Sequence, residues 1–278
     1  MGPLTTMTNE GKEIVLITRA DDMGYTHTGN LAILDCLRDG FIKSAAILVV
    51  APWFEEAAQM AREHPELCFG VHLGIIGEWK GYRWRPVLPW SEARSLVDED
   101  GFLWQSPGEF WRHKPEIAEL ENEFRAQVNL ARKKGVRVDY IDTHYMMPYD
   151  AEIRPIVERI GADYGIPVSC LLGELELADF GIYSPAPEEK ENVLGGILEN
   201  LEPGVHLLIA HPGYRSLETD ALVHFEPKDV KTLGVGNLRA AETIAYTSPR
   251  IKRLVTSRGI RLMSYRDFYN RLKIEGRK

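Results

Sequence analysis

The sequence predicts an α/β protein of about seven parallel strands, arranged as a doubly wound sheet or an incomplete barrel. Apolar runs rich in Val, Ile and Leu alternate with helix-period segments almost from end to end. That rhythm implies parallel strands joined by right-handed helical crossovers. The runs are continuous, as expected for strands covered on both faces. Several close on conspicuous polar residues, Asp21-Asp22, His72, His144 and His211, and the carboxyl ends of strands are where such folds place their sites.

Strands are expected over 14–19, 44–50, 67–73, 137–143, 166–172, 205–210 and 259–263. Helices are expected near 28–38, 52–63, 116–134, 151–164, 188–200 and 238–257, the last broken at Ser248-Pro249 because proline cannot continue a helix unbroken. Gly40, Gly135 and Gly165 each follow a helical segment and fit its C-terminal cap. Residues 74–115, between the third strand and the helix starting near Pro115, lack periodicity and hold Trp79, Tyr82, Trp84, Trp90, Trp104, Phe110 and Trp111. Long insertions in a compact domain are usually functional. Most of these aromatics are expected to pack on the insertion's own scaffold. Trp79 and Trp84 are the candidate platform for the apolar face of a sugar ring, with Arg83 and Arg85 as donors at the rim.

The formal net charge of −8 comes without a basic tract, which argues against nucleic acid or an anionic membrane as a partner. No run approaches the roughly 20 apolar residues that span a bilayer. Cys36, Cys68 and Cys170 lack CxxC spacing and sit in apolar patterns, so buried thiols and a cytoplasmic location are expected. Residues 1–12 read as a mobile leader and 13–278 as one domain, with the oligomeric state open to a homo-oligomer. No GxGxxG or Walker sequence follows the first strand, so no nucleotide site is indicated.

Adjacent side chains at a strand end point to opposite faces, so Asp21 and Asp22 are expected to divide labour, one on a metal and the other on a water. The blander alternative is a turn capping the next helix, a task open also to Thr26, Thr28 or Asn30. Tyr140, Asp142 and His144 share one strand face, which positions Asp142 to orient a neighbour. Aspartate with two histidines suits a catalytic divalent ion: Zn²⁺, or else Mg²⁺, Mn²⁺ or Co²⁺. His64, His113, His206 and His224 read as ordinary loop or strand residues, and His27 as a minor candidate.

Arg19-Ala20-Asp21-Asp22-Met23-Gly24, Gly70-Val71-His72-Leu73, Asp142-Thr143-His144 and Ala210-His211-Pro212-Gly213-Tyr214 together resemble the YdjC-like carbohydrate deacetylases. Leu96-Val97-Asp98-Glu99-Asp100-Gly101-Phe102-Leu103 fits that family's insertion. The resemblance implies an irregular (β/α) barrel with one divalent ion on Asp22, His72 and His144. It also implies Asp21 as general base, His211 as general acid and an acetylated amino sugar as substrate. The family's histidine-rich run after the third ligand is replaced here by Tyr145-Met146-Met147, which makes Tyr145 a candidate substrate contact. The alternatives are a non-catalytic sugar-binding barrel, or a metal-dependent hydrolase of another ester, amide or phosphoester.

Overall fold

The structure, a computed structural model, describes residues 13–145, 150–177, 182–224 and 234–277. The expected leader, Met146 and Met147 lie outside the described residues. In chain order the elements are β1 (Ile14–Met23), α1 (His27–Arg38), β2 (Ser44–Leu48), α2 (Phe54–Glu63), β3 (Cys68–Leu73), α3 (Pro107–Arg112), α4 (Ile117–Lys133) and β4 (Tyr140–Thr143). They continue with α5 (Ile153–Tyr164), β5 (Leu175–Glu176), α6 (Lys190–Glu199), β6 (Gly204–Ala210), α7 (Leu217–Ala221), α8 (Val235–Thr247), α9 (Pro249–Ser257), β7 (Arg261–Met263) and α10 (Tyr265–Ile274).

Every strand pairing is parallel, in the order β4-β3-β2-β1-β6-β5. β1 is the hub: its first half pairs with β7 and its second half with β2. The form adopted is the incomplete barrel, a half-barrel of parallel strands with helices around it and β7 beside the start of β1. The strand expected at 166–172 is reduced to a single bridge, Val168 to Ile141. Its departure has a local cause. Cys170 takes a positive φ of 67°, and the Glu174 carboxylate accepts from the amides of Cys170 and Leu172, turning the chain before β5 begins.

The helix break at Ser248-Pro249 is where α8 gives way to α9, with Ser248 capping the second. Gly135 and Gly165 take the left-handed conformation expected of caps, whereas Gly40 does not. At Gly40 the constraint is space, because a Cβ there would stand 2.4 Å from the Cys36 carbonyl oxygen. The short α3 and α7 and the terminal α10 were not anticipated. Each is capped by a serine side chain, Ser106, Ser216 and Ser264 respectively. No described helix is long and apolar enough to cross a membrane, and all three cysteines are buried free thiols.

Two apolar clusters divide the interior. Residues such as Leu16, Ala20, Ala45 and Val71 face the surrounding helices, while Val15, Ile17, Ala46, Cys68, Tyr140, Leu207 and Ile209 form a second cluster with Tyr265, Phe268 and Leu272 of α10. Strand side chains alternate, so the second set marks the barrel's inner face. Followed towards the carboxyl ends, the same parity reaches Arg19, Asp21, His72, Asp142, His144 and His211. The barrel is apolar at its base and charged at its mouth.

Gly70 pairs with Tyr140 in this inner layer, and a Cβ on it would lie 2.5 Å from that ring. Gly70→Ala is expected to destabilise the fold by about 1–3 kcal/mol through overpacking. A denaturant titration would show this as a lower midpoint at unchanged slope.

Candidate active site

Parity alone would send Asp22 to the outer face, away from Asp21. The structure overturns that expectation: Asp22 adopts φ 68°, and the β1–β2 register shifts between Ala20 and Met23. This left-handed residue swings its carboxylate back to the barrel mouth. Asp21 Oδ2 and Asp22 Oδ1 consequently approach the same nitrogen, His72 Nε2, at 3.9 and 3.5 Å. The capping task falls to Thr26, whose hydroxyl accepts from the Gly29 amide. Both aspartates are thereby left to the site.

Asp22, His72 and His144 offer their ligand atoms to one point. Asp22 Oδ1 lies 3.5 Å from His72 Nε2 and 3.3 Å from His144 Nδ1, and the two nitrogens are 3.3 Å apart. Three donors at such spacing fit around a divalent ion with bonds of roughly 2.0–2.1 Å. Asp22 Oδ1 is buried without a hydrogen-bond partner, which suits a ligand atom. Each histidine has a carboxylate on its other nitrogen: Asp142 Oδ2 lies 3.0 Å from His72 Nδ1, and Glu78 Oε2 lies 3.0 Å from His144 Nε2. Such carboxylates fix the tautomer and raise ligand basicity. A second cluster, Asp21, His72 and Asp142, surrounds a cation already in the chain. Arg19 Nε and Nη2 bind the two oxygens of Asp21 at 2.5 and 2.7 Å, and Nη1 reaches Asp142 at 3.0 Å. Ser169 accepts from Arg19 at 2.5 Å and is hydrogen-bonded in turn to the Tyr265 hydroxyl.

His211 follows β6, one residue beyond the Ala20–Ala210 pair, and so stands beside Asp21 in register. Burial is the main reason that its pKa falls to about 4, helped by the Arg239 charge and opposed by Asp22, so it is neutral at pH 7. Its backbone amide donates to Glu242 at 2.6 Å, and the Tyr183 ring packs edge-on at 5.1 Å. Buried Lys190 serves both neighbours, lying 3.5 Å from Glu242 and donating to the Tyr183 carbonyl at 2.7 Å.

Burial disfavours the charged form of His72, but Asp142 and Asp21 outweigh it and push the pKa up to about 10. For His144, burial is likewise outweighed, here by Glu78 and Asp22, and the pKa rises to about 9. Protons and a metal ion therefore compete for the same nitrogens. Metal binding at pH 7 is expected to release between about one and two protons, since the facing nitrogens are too close for both to stay comfortably protonated. Titration calorimetry in buffers of different ionisation enthalpy would measure the number; none released would mean that both histidines are already neutral before the metal binds.

The insertion contributes differently from expectation. Trp79 and Trp84 are fully buried, so neither presents a face to a sugar. Trp84 packs 5.8 Å from the His144 ring, and Trp79 lies 4.4 Å from that of His224. Arg83 is likewise no free rim donor, being bound to the Asp98 carboxylate and packed on Phe102. What the insertion does supply is Glu78, which also lines a cavity of about 250 Å³ with Gln105, Ser106, Pro107, Gly108, Tyr145 and His224. Of the candidate substrate contacts, Tyr145 alone borders that cavity. His27 bonds Glu56 at 2.7 Å instead of joining the centre, and His206 bonds the Glu202 carbonyl at the opposite end of β6.

Glu78, Arg19 and Arg239 were missed as site residues. Arg239 Nη2 donates to Asp22 Oδ2 at 2.6 Å across 217 residues of chain. Arg19 carried a visible signal, a cation within an apolar strand; Glu78 and Arg239 carried none.

Residues 15–257 match the YdjC-like protein family. A carbohydrate deacetylase of Brevibacillus brevis is 33% identical over 153 residues, 55% of this chain and 58% of that protein. A chitooligosaccharide deacetylase of Yersinia pestis is 28% identical over 264 residues, 92% of this chain and 99% of that one. A crystal structure from Enterococcus faecalis, described as a cellobiose-phosphate cleavage protein, superposes with a TM-score of 0.76 at 25% identity, covering 92% of this chain and 99% of that one. Since the family match runs from β1 to the end of α9 and takes in every strand-end residue of the site, the chain belongs to the YdjC-like family.

Proposed function

We propose that this chain is a metal-dependent carbohydrate N-deacetylase, hydrolysing the acetamide of an N-acetylated amino sugar or short oligosaccharide to a free amine and acetate. The observation that carries the reading is the triangle of Asp22, His72 and His144 donors with the Asp21 carboxylate beside it. The names of the Brevibacillus and Yersinia relatives support the reaction class. Two imidazole nitrogens with one carboxylate oxygen suit zinc.

Asp22, His72 and His144 would hold a divalent ion, which when bound would supply polarisation of the acetamide carbonyl and an acidic water. Asp21, held by the Arg19 guanidinium, takes the proton of the attacking water. Arg19 keeps that carboxylate aimed while Asp142 shares the guanidinium's charge. His211 enters the cycle neutral. The proton that Asp21 takes from water passes to it, favoured by negative charge on the reacting centre, and from there to the departing nitrogen, so that a free amine and acetate result.

The test is acetate release from N-acetylglucosamine and its short oligomers by zinc-loaded protein, with and without chelator. Release that stops with chelator and returns with zinc supports the reading. Sugar binding without release, at full metal content, would replace it with the non-catalytic barrel.

A further inference from the structure

Among the buried polar atoms near the candidate centre that have no hydrogen-bond partner are Asp22 Oδ1, the Tyr25 hydroxyl, His211 Nδ1 and, on Arg239, both Nη1 and Nε. Asp22 Oδ1 belongs to the donor set of the candidate metal site. The others remain, and an unmet buried donor costs about 1–3 kcal/mol, so such a group asks for a ligand. They are neighbours. The Arg239 guanidinium lies 4.2 Å from the Tyr25 ring centre and 5.8 Å from that of Trp79, which fixes its plane. A Cβ on Gly213, two residues beyond His211, would stand 2.7 Å from the Tyr25 hydroxyl oxygen and 3.1 Å from the Arg239 Cβ. The glycine lets the turn after β6 close onto both residues.

Arg239 uses Nη2 on Asp22 Oδ2, while Oδ1 of the same carboxylate faces the histidines. The unused N–H groups therefore belong to a guanidinium that shares the Asp22 carboxylate with the candidate metal position. Cationic and hydroxyl donors together recognise an oxygen acceptor that carries negative charge. We propose that Arg239, with the Tyr25 hydroxyl, binds the acyl oxygen as it gains charge and afterwards the acetate product. This rests on the deacetylase reading and adds to the metal a second, protein-borne oxyanion contact.

The experiment is calorimetric titration of zinc-loaded protein with sodium acetate, for the wild type, Arg239→Gln, Arg239→Lys and Tyr25→Phe, with zinc content measured for each. Arg239→Gln is expected to weaken acetate at least about tenfold at unchanged zinc content, the loss of one charge-assisted hydrogen bond. Arg239→Lys keeps a cation on Asp22 but lacks the fork and should also bind acetate more weakly. Tyr25→Phe should show a smaller loss. Equal acetate affinity in wild type and Arg239→Gln would overturn the proposal. So would zinc loss in parallel with acetate loss in both Arg239 variants, which would mean that Arg239 only holds Asp22. A wild type that binds acetate through Arg239 yet releases none from acetylated sugars would sink the deacetylase reading and leave the binding site standing.

Discussion

Asp22→Asn is expected to empty the metal site at stoichiometric zinc and to lower acetate release by at least about 10³-fold, because the ion and its activated water are lost together. Asparagine is the right substitute for two reasons. Asp22 sits at φ 68°, a conformation that asparagine tolerates better than most residues, so the backbone turn survives. Its amide oxygen can still accept from Arg239, which alanine could not do. Asp22→Ala would strand a buried guanidinium, at a cost of about 3–5 kcal/mol, and confuse folding with chemistry. Metal analysis and circular dichroism on Asp22→Asn separate the two. Full zinc occupancy with normal turnover would remove Asp22 from the ligand set.

Asp21→Asn should behave differently. Turnover is expected to fall by about 10²–10⁴-fold, the usual worth of a positioned general base, while zinc content stays at the wild-type level. Arg19 remains partnered by Asp142 and Ser169, so the fold should hold. Together the two variants test the division of labour at the strand end. Should Asp21→Asn lose zinc as readily as Asp22→Asn, both aspartates would be ligands and the base would have to be sought elsewhere.

Much of the architecture was legible because its signals are local. Continuous apolar runs marked β1, β2, β3, β4, β6 and β7 to within a few residues, and the Ser248-Pro249 break fell where α8 meets α9. The failure at 166–172 is instructive. The apolar pattern there is genuine, but the Glu174 carboxylate captures two backbone amides that a strand would have given to its neighbour. The same competition explains Arg83, which reads as a free cation in sequence and is claimed by Asp98, fifteen residues on, within the insertion. Trp79 and Trp84 look like a sugar platform by composition and are core by burial.

The sequence by itself determined which residue types stand at the strand ends, and therefore that Asp, His and His could meet. It also determined that Asp142 and His144 face the same way as Tyr140, because a two-residue period is a property of the strand alone. Only the tertiary structure decided that Asp22 would turn against that period to join Asp21 on one side. It alone decided that Arg19 would hold Asp21, Glu78 would orient His144 and Arg239 would bind Asp22. These are pairings of buried charge, and a buried charge takes whichever partner the folded chain brings within reach. Alternation along a strand is written locally, whereas an ion pair across 217 residues exists only once the chain has folded.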